Sequence, residues 1–166
     1  MKWMRTLAIF VAGSAVGAVA MQTVAAQESS NTGLRLNHVG IAVEDVGEAI
    51  EFYTKVMGFR VAFEFPSPDG RPTTTYLQIN RDTFLEVAPA NADRAAGTIT
   101  HIGIQSENAD ATVARLRQGG ATVTDPRVSS NSRAKLANVT DPNGFRLELN
   151  ELVPGSLTRQ AVESWR

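Results

Sequence analysis

A strand-like alternation of polar and apolar residues marks the start of the region that is predicted to fold. Between residues 37 and 43, His38 and Gly40 fall on one face and valine and isoleucine on the other, which is the two-residue period of a β-strand. Behind Asp45 as a capping residue, apolar residues recur at spacings of three and four until Gly58, which predicts an amphipathic helix. With three further extended stretches the order is β-α-β-β-β, with strands over 37–43, 59–65, 73–79 and 83–88 and a helix over 46–57.

The second half of the chain repeats this order. Its predicted elements are a strand over 101–105, a helix over 109–118 and strands over 122–124, 134–140 and 145–150. The sequences also match: His-Val-Gly-Ile from His38 corresponds to His-Ile-Gly-Ile from His101, and the residues around Glu86 correspond to those around Glu148 at nearly the same offset. The chain is therefore predicted to have an α+β fold of two tandem βαβββ modules, about 34–90 and 98–152.

Length and charge favour one globular domain with a small-molecule partner. The chain has 166 residues, of which 43% are hydrophobic and 20% charged. Its formal net charge is −1, without long blocks of one sign, so nothing favours a nucleic acid or an anionic membrane as partner. It contains no cysteine, so any bound metal must have nitrogen and oxygen ligands.

The N-terminal residues have the pattern of a secretory signal peptide. Lys2 and Arg5 precede an uncharged apolar stretch over 7–21, which is shorter than a membrane-spanning helix, and small residues lead to Ala26. We expect cleavage after Ala26 and a periplasmic or secreted protein without membrane attachment, the alternative being an uncleaved tether. Residues 27–33 are a predicted flexible leader, 34–152 the domain and 153–166 a tail.

Equivalent residues of the two modules form a candidate metal site. Each module has a histidine near the start of its first strand and a glutamate in its last, and copies of one module bring equivalent positions together around a pseudo-twofold axis. Two buried carboxylates repel each other unless a cation lies between them. His38, Glu86, His101 and Glu148 form a nitrogen-and-oxygen ligand set suited to zinc, nickel, cobalt, manganese or ferrous iron.

The glycine two residues after each histidine shares its face, so Gly40 and Gly103 are expected to leave space for a ligand beside the imidazoles. The alternative for a lone strand histidine is a core or surface residue. It does not explain why both histidines of the chain fall on the repeat.

Several motifs resemble the vicinal oxygen chelate superfamily, which includes glyoxalase I, bleomycin-resistance proteins and ring-cleaving dioxygenases. They are His38-Val39-Gly40-Ile41-Ala42-Val43, Ala49-Ile50-Glu51-Phe52-Tyr53 with Gly58-Phe59, and Asp141-Pro142-Asn143-Gly144-Phe145 with Leu147-Glu148-Leu149. The resemblance implies paired modules whose curved mixed sheets surround one divalent metal, either within one chain or across a dimer.

Within that superfamily the ligand set is similar to that of glyoxalase I, which implies a lyase or isomerase acting through a metal-stabilised enediolate. The resemblance makes Glu148 the first candidate for the base and Glu86 the second. Members that use glutathione carry an arginine and an asparagine where this chain has Ala42 and Ala90. We therefore expect a small oxygenated substrate and no dependence on glutathione.

Other branches of the superfamily remain as alternatives. Ring-cleaving dioxygenases hold iron with two histidines and one glutamate, and have no ligand at the position of Glu86. The epimerase-like branch shares proton abstraction but often has glutamine there. Bleomycin-resistance proteins sequester a small molecule and usually lack the metal ligands.

Five further residues are candidates for binding substrate. Phe65, Tyr76, Gln78 and Arg146 lie on strands predicted to flank the metal, and Lys135 follows a polar segment that is a candidate lid over a carboxylate or phosphate. Packing or a solvated surface position is the alternative for each.

The tail has near-helical apolar spacing that ends at Trp165. A short helix is predicted there, packed on the domain or on a second subunit of a homodimer. Trp165 either packs or closes the pocket.

Overall fold

The computed structural model describes residues 32–65 and 73–166, and Leu34–Arg166 forms one compact unit. The predicted signal peptide, most of the leader and the segment 66–72 lie outside the described residues. No helix among the described residues is long and apolar enough to cross a membrane. The elements are β1 (Arg35–Val43), α1 (Val46–Glu51), a π-helical turn (Phe52–Val56), β2 (Arg60–Glu64), β3 (Thr75–Asn80), β4 (Thr83–Pro89), β5 (Thr98–Gln105), α2 (Ala109–Gln118), β6 (Thr122–Val123), β7 (Arg127–Val128), β8 (Lys135–Thr140), β9 (Arg146–Glu151) and α3 (Leu157–Glu163).

The described strands form one curved, unclosed sheet in the order β2-β3-β4-β1-β5-β9-β8-β6, with β7 paired to β8. β1 pairs in parallel with β4, and β5 pairs in parallel with β9, so the first and last strands of each module are neighbours. The modules join where β1 and β5 pair in antiparallel orientation. The predicted α+β fold of two tandem βαβββ modules is confirmed. The strand β7 was not predicted, because two residues are too few to show a periodicity.

Each module packs its helix on one face of the sheet, which we call the helix face. In the N-terminal module Val46 of α1 packs with Leu77 and Val87, and in the C-terminal module Val113 of α2 packs with Leu149. Successive strand residues point to opposite faces, so the polar partners of these apolar residues lie on the other side. We call that side the site face, and it bears His38, Glu86, His101 and Glu148.

Side-chain caps explain where the helices start. The backbone amide of Glu48 donates to Asp45 Oδ1 at 2.9 Å, which is the predicted cap of α1. The amide of Ala111 donates to Asn108 Oδ1 at 2.9 Å in the same way at α2. The helix predicted over 46–57 is helical, but its second half, Phe52–Val56, is a π-helical turn.

The tail forms the short helix α3, as the apolar spacing predicts, and it packs on the domain's own sheet. Ala161 is 6% exposed and lies in an apolar cluster with Tyr76 and Phe84. Phe84 stands in register with His38 of β1, so this cluster belongs to the site face. The backbone amide of Leu157 fixes the start of the helix by donating to Ser132 O at 2.9 Å.

Candidate metal centre

Four strands bring the four predicted ligands to one point on the site face. The register places Gly40 beside Glu86 and Gly103 beside Glu148, while His38 stands opposite Gly103 across the junction of the modules. The Nε2 atoms of His38 and His101 lie 2.8 Å apart. Oxygen atoms of the glutamates lie 3.4–3.7 Å from these nitrogens: Glu86 Oε2 is 3.6 Å from His38 and 3.4 Å from His101, and Glu148 Oε1 is 3.7 Å from His38.

The space that Gly40 and Gly103 leave beside the histidines is filled by the imidazole of the other module. A Cβ atom on Gly103 would lie 2.1 Å from the ring of His38, and one on Gly40 would lie 2.3 Å from the ring of His101. The two glycines therefore let the rings cross the module junction. The expectation that this space accepts a ligand was wrong, because the rings themselves occupy it.

Polar neighbours orient both imidazoles. His38 Nδ1 donates to Asn37 Oδ1 at 2.8 Å, because an amide oxygen can only accept, and this leaves the Nε2 lone pair directed at the centre. Thr100 Oγ1 lies 2.9 Å from His101 Nδ1 and makes a hydrogen bond with the outer nitrogen of that ring, in which either atom can be the donor. Such partners fix the ring orientation of metal-binding histidines.

The spacing of the donor atoms fits one divalent cation. Two atoms that each lie about 2.1 Å from a metal must lie within about 4.2 Å of each other. The four separations given above satisfy this condition. The residues whose ligand atoms all lie within 4.8 Å of one another are His38, His101 and Glu148, and Glu86 adjoins this group through the two imidazoles at 3.6 and 3.4 Å. Nε2 atoms 2.8 Å apart cannot both present lone pairs without repulsion unless a proton or a cation lies between them. The residues present therefore fit the predicted cation.

The two carboxylates are held differently. The Tyr76 hydroxyl donates to Glu86 Oε2 at 2.5 Å, and the same oxygen faces both imidazoles. Among the described residues no hydrogen-bond donor reaches Glu148, whose Oε2 lies 3.7 Å from Arg146 Nη1. Both carboxylates are largely enclosed, with 13% of the Glu86 side chain and 12% of the Glu148 side chain exposed. Glu86 is restrained by a hydrogen bond, whereas Glu148 lies 3.7 Å from Arg146 and 3.7 Å from His38.

The pKa shifts of Glu86 and Glu148 also differ, in opposite directions. Burial lowers the pKa of His38 to about 4, against the opposing effect of Glu86, so this imidazole is neutral at pH 7. Burial opposes ionisation of Glu86, but hydrogen bonding to His101, the nearby imidazoles and the Tyr76 hydroxyl lower its pKa to about 2. For Glu148, burial and the charge of Glu86 raise the pKa above its usual value, partly offset by His101 and Arg146. Burial and Glu86 also raise the pKa of Tyr76, which stays a donor.

Three of the five predicted substrate residues lie at or beside the centre. Tyr76 contacts Glu86, and its ring packs edge-on to His38 with centroids 5.4 Å apart. Arg146 is 42% exposed and lies on the same face as Glu148. Phe65 lies one ring further out, 5.8 Å from Tyr76 between centroids, in the apolar cluster with Ala161.

Gln78 is on the site face, but its amide is fully used within the protein. Its Oε1 accepts from Arg60 Nη2 at 2.6 Å, and its Nε2 donates to Arg81 O at 2.9 Å and Ala161 O at 3.2 Å. With no exposed area, Gln78 joins β3 to the C-terminal helix. This corrects its assignment as a substrate ligand.

Lys135 points away from the centre. It begins β8 and shares its side of the strand with Ala137 and Val139, which belong to the apolar cluster under α2. Its ammonium group pairs with Asp110 of α2, and this hydrogen bond raises the pKa of Lys135. The expected lid role was wrong because the strand begins at Lys135 and turns that side chain to the helix face.

Sequence reasoning missed Asn37, Thr100 and Asn138. Asn37 and Thr100 each precede one of the two histidines, and this repeated polar residue was the available signal. Asn138 stands opposite Glu148 and accepts from Arg146 Nη1 at 3.2 Å. Nothing in the sequence pattern of its strand singles it out.

The profile of the Glyoxalase/Bleomycin resistance protein/Dioxygenase superfamily matches residues 35–149, which span both modules and all four candidate ligands. The chain belongs to this superfamily. The resemblance drawn from the motifs is thereby confirmed, together with the fold that it implied.

The relatives described here are a lactoylglutathione lyase and two methylmalonyl-CoA epimerases. The lactoylglutathione lyase of Escherichia coli O157:H7 is 27% identical over 125 residues, covering 71% of this chain and 93% of that protein. The mitochondrial methylmalonyl-CoA epimerase of Homo sapiens is 29% identical over 93 residues, covering 51% of this chain and 53% of that protein. Among solved structures, a methylmalonyl-CoA epimerase variant from Streptomyces coelicolor with 2-nitronate-propionyl-CoA is similar with a TM-score of 0.60 and 25% identity, covering 74% of this chain and 96% of that chain.

Proposed function

We propose that this protein is an exported, divalent-metal-dependent lyase or isomerase that acts on a small oxygenated substrate without glutathione. The observation that carries the proposal is the convergence of two imidazoles and two carboxylates, of which only Glu86 is clamped by a hydroxyl group. Export rests on the signal-peptide pattern of residues 1–26.

The residues divide the chemistry between them. A divalent cation held by His38, Glu86, His101 and Glu148 supplies a Lewis acid that makes a carbon next to substrate oxygens more acidic. Glu148 then takes the proton from that carbon, since no donor among the described residues ties its carboxylate down. Its raised pKa makes it a stronger base than an ordinary glutamate. The same carboxyl group returns the proton to the adjacent carbon, so that no proton is gained or lost.

Glu86 serves as a ligand that keeps its place throughout. Its pKa of about 2 keeps it ionised, and the hydrogen bond from Tyr76 prevents it from turning toward a substrate. This division supports Glu148, the first candidate in the sequence, as the base.

The residues at the two positions associated with glutathione support a substrate other than a glutathione conjugate. Ala42 is fully buried on the site face beside Ala88 and offers no charged group. Ala90, which follows β4, is likewise without a polar side chain. The relatives named lactoylglutathione lyase thus support the reaction class, and the residues of this chain support a different substrate.

An epimerase is the second candidate, and the similarity to methylmalonyl-CoA epimerases favours it. It requires the same removal of a carbon-bound proton but returns a proton to the opposite face of the same carbon. The product from a chiral probe distinguishes the two outcomes.

Exchange of carbon-bound hydrogen tests the proposal without knowledge of the natural substrate. We expect cobalt-loaded protein to exchange the α-hydrogens of hydroxyacetone in D₂O, measured by proton NMR. Glu148→Gln should lower the rate per equivalent of bound cobalt by about 100-fold, with the cobalt content of each protein measured alongside. The matched control is Glu107→Gln, an exposed glutamate just beyond β5, which should exchange like the wild type.

Equal rates in Glu148→Gln and the wild type would contradict the assignment of the base. Cobalt-free protein that binds small aromatic molecules, without exchange, would favour sequestration over catalysis.

A further inference from the structure

We propose that the C-terminal helix α3 limits the substrate size, by covering Phe84 and Tyr76 on the N-terminal module's side of the site face, and that the substrate is a small carboxylate held by Arg146. This inference rests on the proposed function and assigns the substrate class of that same centre. It draws on the packing of α3 and on the unequal exposure of the two sides of the centre.

The helix is anchored to the site face by three kinds of contact. Ala161 packs against Phe84 and Tyr76, and all three side chains are almost fully buried. Gln78 Nε2 donates to Ala161 O at 3.2 Å, which ties the helix backbone to β3. Beyond the helix, the Trp165 ring lies under the Arg60 guanidinium, 4.8 Å from its centroid.

The anchored residues are immediate neighbours of the metal ligands. Phe84 stands in register with His38, and Tyr76 stands in register with Glu86. Through Phe84 and Tyr76, α3 therefore contacts side chains that stand next to His38 and Glu86 in the sheet. A substrate that extends over these two side chains meets α3.

On the C-terminal module's side, the described residues leave Arg146 partly exposed. Its side chain is 42% exposed and shares the site face with Glu148, two residues along β9. Arg146 has five N–H donors, and among the described residues it makes one hydrogen bond, to Asn138, and one ion pair, in which Nη1 lies 3.7 Å from Glu148 Oε2. Its other donors are left for a substrate carboxylate, which a guanidinium binds through two parallel hydrogen bonds.

The two features together define the substrate class. A compact acid with oxygen on the carbon next to the carboxylate places that carboxylate at Arg146 and its oxygens at the centre. A long conjugate needs the surface that α3 covers. The helix thus excludes large substrates, and Arg146 selects negative charge.

Two probes of different size test the role of the helix. Cobalt-loaded full-length protein is titrated with oxalate, a small dicarboxylate, and with S-hexylglutathione, by isothermal calorimetry. The variant Ala161→Lys introduces a charged chain at the buried contact of α3. Its matched control is Gln160→Lys, which adds the same charge at the neighbouring exposed position.

We expect wild-type protein and Gln160→Lys to bind oxalate and to bind S-hexylglutathione weakly. Ala161→Lys should bind S-hexylglutathione about tenfold more tightly than Gln160→Lys does, with oxalate affinity unchanged within about twofold. If Ala161→Lys loses its cobalt, Trp165→Ala decides, because it loosens the tail without placing a charge in the core. Trp165→Ala should then show the same gain of about tenfold in affinity for S-hexylglutathione.

The outcomes separate the helix from the centre. If S-hexylglutathione binds equally to wild-type protein and to both loosened variants, α3 does not set substrate size, although the proposed function stands. If Arg146→Gln binds oxalate as tightly as the wild type, the carboxylate assignment is overturned. If no protein binds oxalate, the carboxylate assignment is overturned, and exchange of the α-hydrogens of hydroxyacetone decides separately whether the proposed function stands.

Discussion

The hydroxyl group of Tyr76 donates a hydrogen bond of 2.5 Å to Glu86 Oε2. Glu148, the equivalent residue of the second module, has Asn138 in the corresponding position of the neighbouring strand, and Asn138 instead accepts from Arg146. The two modules are thus similar in backbone and different in what restrains the glutamate. As a result, one carboxylate of the nearly symmetric ligand set accepts a hydrogen bond from a tyrosine hydroxyl, and the other is paired with Arg146.

Tyr76→Phe tests that restraint. Without the hydroxyl group, Glu86 is less well oriented, and we expect the metal affinity to fall by about tenfold, as is usual when a partner of a metal ligand is removed. Competition with a chelator measures the change. The matched control is Tyr53→Phe, since Tyr53 belongs to the cluster on the helix face, where its ring stacks on Phe59. Equal affinities in both variants would show that the hydrogen bond does not support the centre.

Gly103→Ala tests the crossing of the imidazoles. The added Cβ atom would lie 2.1 Å from His38 Cε1, so the ring must move away from the centre. We expect bound metal to be lost and the free energy of unfolding to fall by about 1–3 kcal/mol, the usual cost of overpacking.

Gly119→Ala is the control for this substitution. Gly119 has an ordinary φ of −78°, and a Cβ atom there would meet its nearest neighbour at 3.4 Å. Metal content and stability should stay close to those of the wild type. Full metal content in Gly103→Ala would mean that the rings do not need the glycine.

The low pKa of His38 predicts how the metal-free protein responds to acid. Burial places this pKa at about 4 in the folded state, against 6.5 in the unfolded chain. As the pH falls below 6.5 the unfolded state takes up the proton first, so stability is lost progressively down to pH 4. The loss amounts to about 3 kcal/mol when complete.

Urea unfolding after chelator treatment, compared between neutral and acidic pH, measures this loss. The raised pKa of Glu148 acts in the opposite direction, because the folded state then takes up that proton first as the pH falls. The variant His38→Gln isolates the histidine and should lose less stability on acidification than the wild type. The same acid sensitivity in both proteins would contradict a buried, neutral His38.

Most of the fold was predictable from the sequence because each of the two repeated modules shows the periodicity of its strands and of its helix. The alternation around His38 and His101 and the matched glutamates were sufficient to place the strands along the chain and to select the four candidate ligands. The roles of Gln78 and Lys135 were not accessible, because they depend on partners distant in the sequence. Gln78 bonds Ala161 of the tail, and Lys135 pairs with Asp110 of α2.

The role of Gly40 and Gly103 was also only partly predictable from the sequence. That Gly40 and Gly103 leave room beside a histidine follows from strand geometry. Which group fills the room depends on the antiparallel junction of the modules, where His38 stands opposite Gly103. The residue pattern within one module does not specify this pairing between the two modules.

Arg146→Gln and Lys135→Gln together test which basic side chain binds the substrate. Arg146 lies 3.7 Å from Glu148 on the site face, whereas Lys135 pairs with Asp110 on the helix face. We expect Arg146→Gln to lower kcat/KM for a carboxylate-bearing probe by about tenfold, with metal content unchanged. Lys135→Gln should leave both quantities unchanged. The reverse pattern would return Lys135 to the site.

The metal content of the purified protein tests the central claim most directly. Elemental analysis should find one equivalent of a divalent metal in the wild type, and Glu86→Gln and His101→Ala should each lose it, because their donor atoms lie within 3.4 Å of each other at the shared point. Unchanged metal content in both variants would contradict the account, since the four side chains would then not be the ligands.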